Sequence, residues 1–269
     1  MPLRLSSHTF TSHAVEAEVE YRLLLPDDHR EGERRLPLVL HFHGAMSSSA
    51  SLELALPLYR EAFDAEEFPR AVVACPSTPT QGGFYLDQED GPAWEAMVGT
   101  ELPAYLEETF GTFDRVALLG ASMGGYGALK QAFADPERFT AVAALSPAVF
   151  PGESPADVPA RNIPSVLGEL HRAMAPGGDA RTYARNSVHG RARTRAELIR
   201  SSGLSVLIDC GAADEFLLHE GAAYLHGVLT ELDIEHTFRL VEGAGHVGPA
   251  AERRTLEAIR FLGRALMSR

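Results

Sequence analysis

Val116-Ala117-Leu118-Leu119-Gly120-Ala121-Ser122-Met123-Gly124-Gly125-Tyr126-Gly127-Ala128-Leu129-Lys130 is the stretch on which the fold turns. It begins as a short apolar run bounded by Asp114 and Gly120, the pattern of a buried strand. It ends in small residues that open a helix. Between the two, Ser122 sits in Gly-x-Ser-x-Gly, which makes a tight strand-to-helix turn. A Cβ at position 120 or 124 would run into neighbouring backbone, so both places call for glycine. The turn lifts the Ser122 hydroxyl out of the sheet and aims the next backbone N–H groups and a helix N-terminus at it. A developing oxyanion is stabilised in such a place.

A serine hydroxyl is a weak nucleophile at neutral pH and needs a base, which in turn needs an orienting partner. Downstream, Asp214 follows a strand in Gly211-Ala212-Ala213-Asp214-Glu215-Phe216, and His246 follows the last strand in Gly243-Ala244-Gly245-His246. His246 is the expected base and acid, and Asp214 the residue that holds its tautomer. Glu215 stands beside Asp214 as a rival, and a capping role for Asp214 at the next helix is the plain alternative. Asp209 lies inside the strand run and is expected to point elsewhere. Tetrahedral intermediates need two N–H donors. Met123, after the nucleophile, supplies one. Ala45, after His41-Phe42-His43-Gly44, supplies the other, with Gly44 letting the backbone approach the substrate. His41 and His43 lack a third metal ligand, so both read as residues that order this loop, and no metal is expected. Asp87-Gln88-Glu89-Asp90-Gly91 lacks the spacing and closing glutamate of a calcium loop and reads as a solvated turn. Substrate contacts are expected from Gly44, Met46, Phe84, Tyr85 and the segment 151–200.

Outside these motifs, apolar runs alternate with helical periodicity. Residues 8–15 and 17–26 read as an antiparallel hairpin at a sheet edge, followed by a charged loop over 27–35. Strands are expected over 36–44, 71–76, 139–148, 204–211 and 236–241. Helices are expected over 52–64, 94–110 (with a possible kink at Pro103), 216–232 and 250–267. This alternation predicts an α/β fold: a mostly parallel central sheet with helices on both faces. Ligand sites in such sheets lie beyond the strands' carboxyl ends, where each motif above falls. Residues 151–200 break the rhythm, being rich in Pro, Gly and Arg, and read as a lid-like insertion with short helices. The 269 residues are expected to form a single domain, 1–269, carrying that insertion.

The net charge of −13 argues against nucleic acid or an anionic membrane as partner. Met1 to Glu20 has no apolar core segment, so no signal peptide is expected, and no run reaches membrane-span length. Cys75 and Cys210 each lie in an apolar run and read as buried free thiols, which suits a reducing cytoplasm.

His43-Gly44, Gly120-Ala121-Ser122-Met123-Gly124-Gly125, Gly211-Ala212-Ala213-Asp214-Glu215-Phe216 and Gly245-His246 together resemble the α/β-hydrolase superfamily. Within it the likeness is to the esterase branch of esterase D-type enzymes, feruloyl esterases and mycolyltransferases. The chain order Ser, Asp, His fits. The resemblance spans most of the chain and weakens over 151–200. It implies acyl transfer through a Ser122 acyl-enzyme, no cofactor, and a small-molecule ester as substrate. An acyltransferase or a thioesterase would use the same machinery, and a non-catalytic binding protein on this scaffold is the rival of another class. The arginines of 161–200, among them Arg185 and Arg191, are either solvated helix faces or a clamp for a substrate carboxylate or phosphate.

Overall fold

A computed structural model describes residues 3–29, 36–163 and 165–268; the charged loop expected over 27–35 lies outside them from residue 30 on. The strands are β1 (Leu3–Ser12), β2 (Ala17–Pro26), β3 (Leu38–Phe42), β4 (Val72–Pro76), β5 (Val116–Ala121), β6 (Ala141–Leu145), β7 (Ser205–Gly211) and β8 (Thr237–Val241). They form one sheet in the order β1-β2-β4-β3-β5-β6-β7-β8. β1 pairs with β2, and β2 with β4, antiparallel. Every other pairing is parallel. The expected hairpin is the sheet edge, with β1 starting earlier than its period-2 pattern indicated.

The helices are α1 (Ser51–Asp64), α2 (Trp94–Ala96), α3 (Leu102–Phe110), α4 (Met123–Ala134), α5 (Ser165–Met174), α6 (Ala180–Asn186), α7 (Val188–Ser202), α8 (Leu218–Glu231) and α9 (Pro249–Met267). Side chains alternate across the buried strands. Leu38, Leu40 and Phe42 of β3 face one core, and Val39 faces the other. α1 and α9 close the second face through Leu52, Tyr59, Ile259 and Leu262. α3, α4 and α8 cover the first through Leu106, Leu129 and Leu225. Helices on both faces explain why the central strands read as continuous apolar runs rather than alternating ones.

At Pro103 the expected kink is instead a π-helical turn, Met97–Glu101, between α2 and α3. Proline has no N–H to offer the Gly99 carbonyl. Arg138 donates to that carbonyl through Nη1 instead. Residues 151–200 are more helical than their composition suggested, since α5, α6 and most of α7 fall there. α6 and α7 begin at the side-chain caps Asp179 and Ser187, which accept from the backbone N–H of Thr182 and Gly190.

His41 and His189 are both buried as neutral rings. Burial pushes His41 down to about 4, helped by the neighbouring His43. Burial likewise pushes His189 down to about 4, opposed by Glu153 and helped by Arg193. In the unfolded chain both would titrate at the ordinary histidine value, 6.5. Between the two values the unfolded state binds protons that the folded state excludes, so stability rises with pH. Lowering the pH from 6.5 to 5 is expected to cost about 3 kcal/mol from this pair. Urea unfolding at the two pH values checks it. Equal stability would mean that the histidines become charged inside the fold.

Candidate active site

Ser122 sits between β5 and α4 with φ 55° and ψ −117°, a strained conformation for a non-glycine residue. Its backbone N–H donates to the Leu145 carbonyl at 2.8 Å, and its carbonyl accepts from Ala148 at 2.9 Å and Tyr126 at 3.0 Å. The turn is held from both sides. A Cβ on Gly120 would lie 2.1 Å from the Gly124 carbonyl oxygen, and one on Gly124 would lie 2.1 Å from that of Phe42. Both glycines are therefore steric requirements of the turn, and the second also fits β3 against the start of α4.

Ser122 and His246 line one cleft of about 510 Å³ beyond the carboxyl ends of β3, β5 and β6. Gly44, Ala45 and Met46 line it as well. Met123 is the first residue of α4 and is buried beneath the serine. His246 Nδ1 lies 2.8 Å from Asp214 Oδ2. Asp214 Oδ1 accepts from the Phe216 N–H at 3.0 Å. Burial alone would raise the Asp214 carboxyl. The His246 hydrogen bond and charge and the backbone donors of Phe216 and Leu218 outweigh it and hold the group below the usual carboxylate range. Glu215 does something different: its Oε2 accepts the backbone N–H of His246 at 2.8 Å. Asp214 thus meets the ring, and Glu215 meets the loop that carries it.

The loop before α1 is ordered by His43. The Thr78 N–H donates to His43 Nε2 at 2.9 Å, so the ring proton sits on Nδ1, which donates to the Gly44 carbonyl at 2.8 Å. His41 turns away to Tyr59, 3.1 Å off. Among the described residues no group of three His, Cys, Asp or Glu side chains is placed to hold a metal ion. Cys75 and Cys210 are both free and buried.

One expectation needs correction. Phe84 and Tyr85 do not line the cleft. Both have positive φ, 51° and 55°, and both are buried. Tyr85 stacks on Phe42 with centroids 4.8 Å apart, and its hydroxyl donates to the His43 carbonyl at 3.1 Å. It supports the loop rather than the ligand. The insertion arginines do not line the cleft either; α5 contributes Val166 and Leu167. Arg191 is held by Glu95 at 2.5 Å, beside the fully buried Lys130 on the same carboxylate at 2.8 Å. Arg193 bridges Glu153 and Glu231. Arg185 lines a separate surface pocket.

Arg254 is the site residue that the sequence reading missed. It lies on α9, is 6% exposed, and borders the cleft. Its Nε donates to Asp209 Oδ1 at 2.5 Å, Nη2 to Ser146 Oγ at 2.9 Å and to the Asp209 carbonyl at 3.3 Å, and Nη1 to the Gly245 carbonyl at 3.2 Å. One side chain thereby joins α9, the strand leading to Asp214, the end of β6 and the residue before His246. Arg254→Met is expected to destabilise the fold by about 3–5 kcal/mol, because it strands the buried Asp209 carboxylate. Chemical denaturation measures it, and Arg254→Met with Asp209→Asn should recover part of the loss.

A family model described as "Putative esterase" matches residues 12–251. An S-formylglutathione hydrolase of Paracoccus denitrificans strain Pd 1222 is 30% identical over 257 residues, covering 87% of this chain and 84% of that protein. Among solved structures, a ferulic acid esterase superposes with a TM-score of 0.77 at 20% identity, covering 98% of each chain. An S-formylglutathione hydrolase from Agrobacterium tumefaciens gives 0.74 at 22% identity, covering 97% of this chain and 94% of that one. A fluorophosphonate-binding serine hydrolase of Staphylococcus aureus gives 0.75 at 16% identity over the whole of both chains. At these identities the structural matches speak to the fold.

Proposed function

The chain belongs to the esterase family of the α/β-hydrolases, and from that premise we propose that it hydrolyses carboxylic esters through a Ser122, His246, Asp214 triad and an acyl-enzyme. The observation that supports this most is the 2.8 Å contact between His246 Nδ1 and Asp214 in a cleft shared with Ser122. The contact keeps the ring proton on Nδ1 and leaves Nε2 to take the Ser122 proton. Ser122 Oγ attacks the acyl carbon, and the N–H groups of Met123 and Ala45 receive the oxyanion. On collapse the C–O bond breaks, and His246 gives its proton to the departing alkoxide. Water repeats the sequence on the acyl-enzyme, returning Ser122 and releasing the acid. The reading calls for no metal or cofactor. It treats the chain as one catalytic domain, with 151–200 as an insertion.

A thioester is a second reading, favoured by the S-formylglutathione hydrolase relative; the same steps serve with a thiolate as leaving group. The test is a fluorophosphonate probe with peptide mapping, run beside a panel of aryl, alkyl and thiol esters. Label on Ser122 with turnover of neutral esters is expected. Label confined to another residue would remove the mechanism. Alcohols added to the assay separate hydrolysis from acyl transfer by their products.

A further inference from the structure

Large apolar side chains left singly in solvent are ordinary, whereas several gathered at one place point to a ligand. Among the described residues the three most exposed large apolar side chains are Met46 (86%), Leu54 (81%) and Val247 (72%). All three rim the cleft that holds Ser122, and half-exposed Phe216 joins them. They come from four segments: the loop after Gly44, α1, the loop after His246, and the turn before α8. Met46 keeps this outward position with φ 60°, a strained value, while its N–H donates to Thr80 Oγ1 at 2.7 Å. The backbone is pinned and the side chain is held in water.

The cleft is also poor in charge. Among the described lining residues only His246 and Arg254 can carry one. Four of the five Arg254 N–H donors are engaged with Asp209, Ser146 and Gly245. None of the described lining residues is acidic. A leaving group with two carboxylates and an ammonium, such as glutathione, would find few partners there, and charges desolvated without partners are costly. The group that departs must also lie beside His246, which protonates it. The neighbours on that side are Val247 and the Phe216 ring, whose centroid is 4.9 Å from that of His246 in an edge-on pose.

Resting on the serine-esterase reading above, we propose that this rim is a leaving-group platform: the substrates carry an uncharged aryl or alkyl alcohol or thiol, and not a charged peptide thiol. Three thioacetates of ordinary alkyl thiols test it: S-acetyl-2-phenylethanethiol, S-acetylglutathione and S-methyl thioacetate. The phenylethyl compound should exceed the glutathione compound in kcat/KM more than tenfold. In a Leu54→Ser/Val247→Ser double variant, the preference for phenylethyl over methyl should fall at least tenfold. Both side chains lie in water, so circular dichroism should show an intact fold. A glutathione thioester turned over within tenfold of the phenylethyl one, or a preference unmoved by the double substitution, would overturn the platform. Ser122→Ala is run alongside. If it still hydrolyses S-methyl thioacetate, the triad reading is what fails. A chain that loses that activity with Ser122 yet prefers the glutathione compound refutes the platform alone.

Discussion

Replacing Ser122 with alanine is expected to lower kcat for a neutral ester by about 10⁶ while the protein stays folded. The size follows from the way triad groups act as a unit: without the nucleophile, a correctly held histidine has no hydroxyl to activate. The fold should survive because Ser122 shapes it through its backbone. Its N–H and carbonyl make three hydrogen bonds, to Leu145, Tyr126 and Ala148, and its side chain caps nothing in α4. Alanine keeps all three and meets the same φ of 55°, so the strain is unchanged. Steady-state kinetics beside a thermal melt reads both effects. A variant with a tenth of the parent activity and an unchanged melt would place the chemistry on another residue.

Such a sharp expectation is possible because the elbow is written in local terms. Gly120 and Gly124 are required because a Cβ at either would lie 2.1 Å from a backbone oxygen, and an apolar strand must precede them. The parallel strands were legible for the same reason: buried on both faces, they read as unbroken apolar runs. What escaped the sequence was decided by partners far along the chain. Arg254 is one arginine in an amphipathic helix, and nothing near it announces Asp209, 45 residues away, or Ser146, 108 away. The insertion arginines looked free because Glu95 and Glu153 lie 96 and 40 residues from Arg191 and Arg193. Phe84 and Tyr85 follow a Gly-Gly turn and looked exposed. In the fold both are buried, and Tyr85 packs on Phe42, 43 residues away. The apolar rim had no periodic signature at all, since Met46, Leu54 and Val247 share a place in space and none in pattern.

Asp214→Asn is expected to cost about 10⁴ in kcat, against tenfold or less for Glu215→Gln. The difference comes from the Phe216 N–H, which donates to Asp214 Oδ1. An asparagine there must turn its carbonyl oxygen to that donor, which aims its amide NH₂ at His246 Nδ1. Nδ1 then has to accept, so the ring proton moves to Nε2, the atom that should take the proton from Ser122. The imidazole stays in place in the wrong tautomer, and the base is lost without loss of structure. Glu215 has a different task. Its Oε2 accepts the His246 backbone N–H, and a glutamine can present its amide oxygen to the same donor. Glu215→Gln therefore removes a charge next to the loop and keeps the bond that shapes it. Measuring kcat for both variants on one ester decides between the two acids. If Glu215→Gln proves the more damaging, the carboxylate that matters is the one on the loop backbone, and the 2.8 Å contact between Asp214 and the ring is structural only.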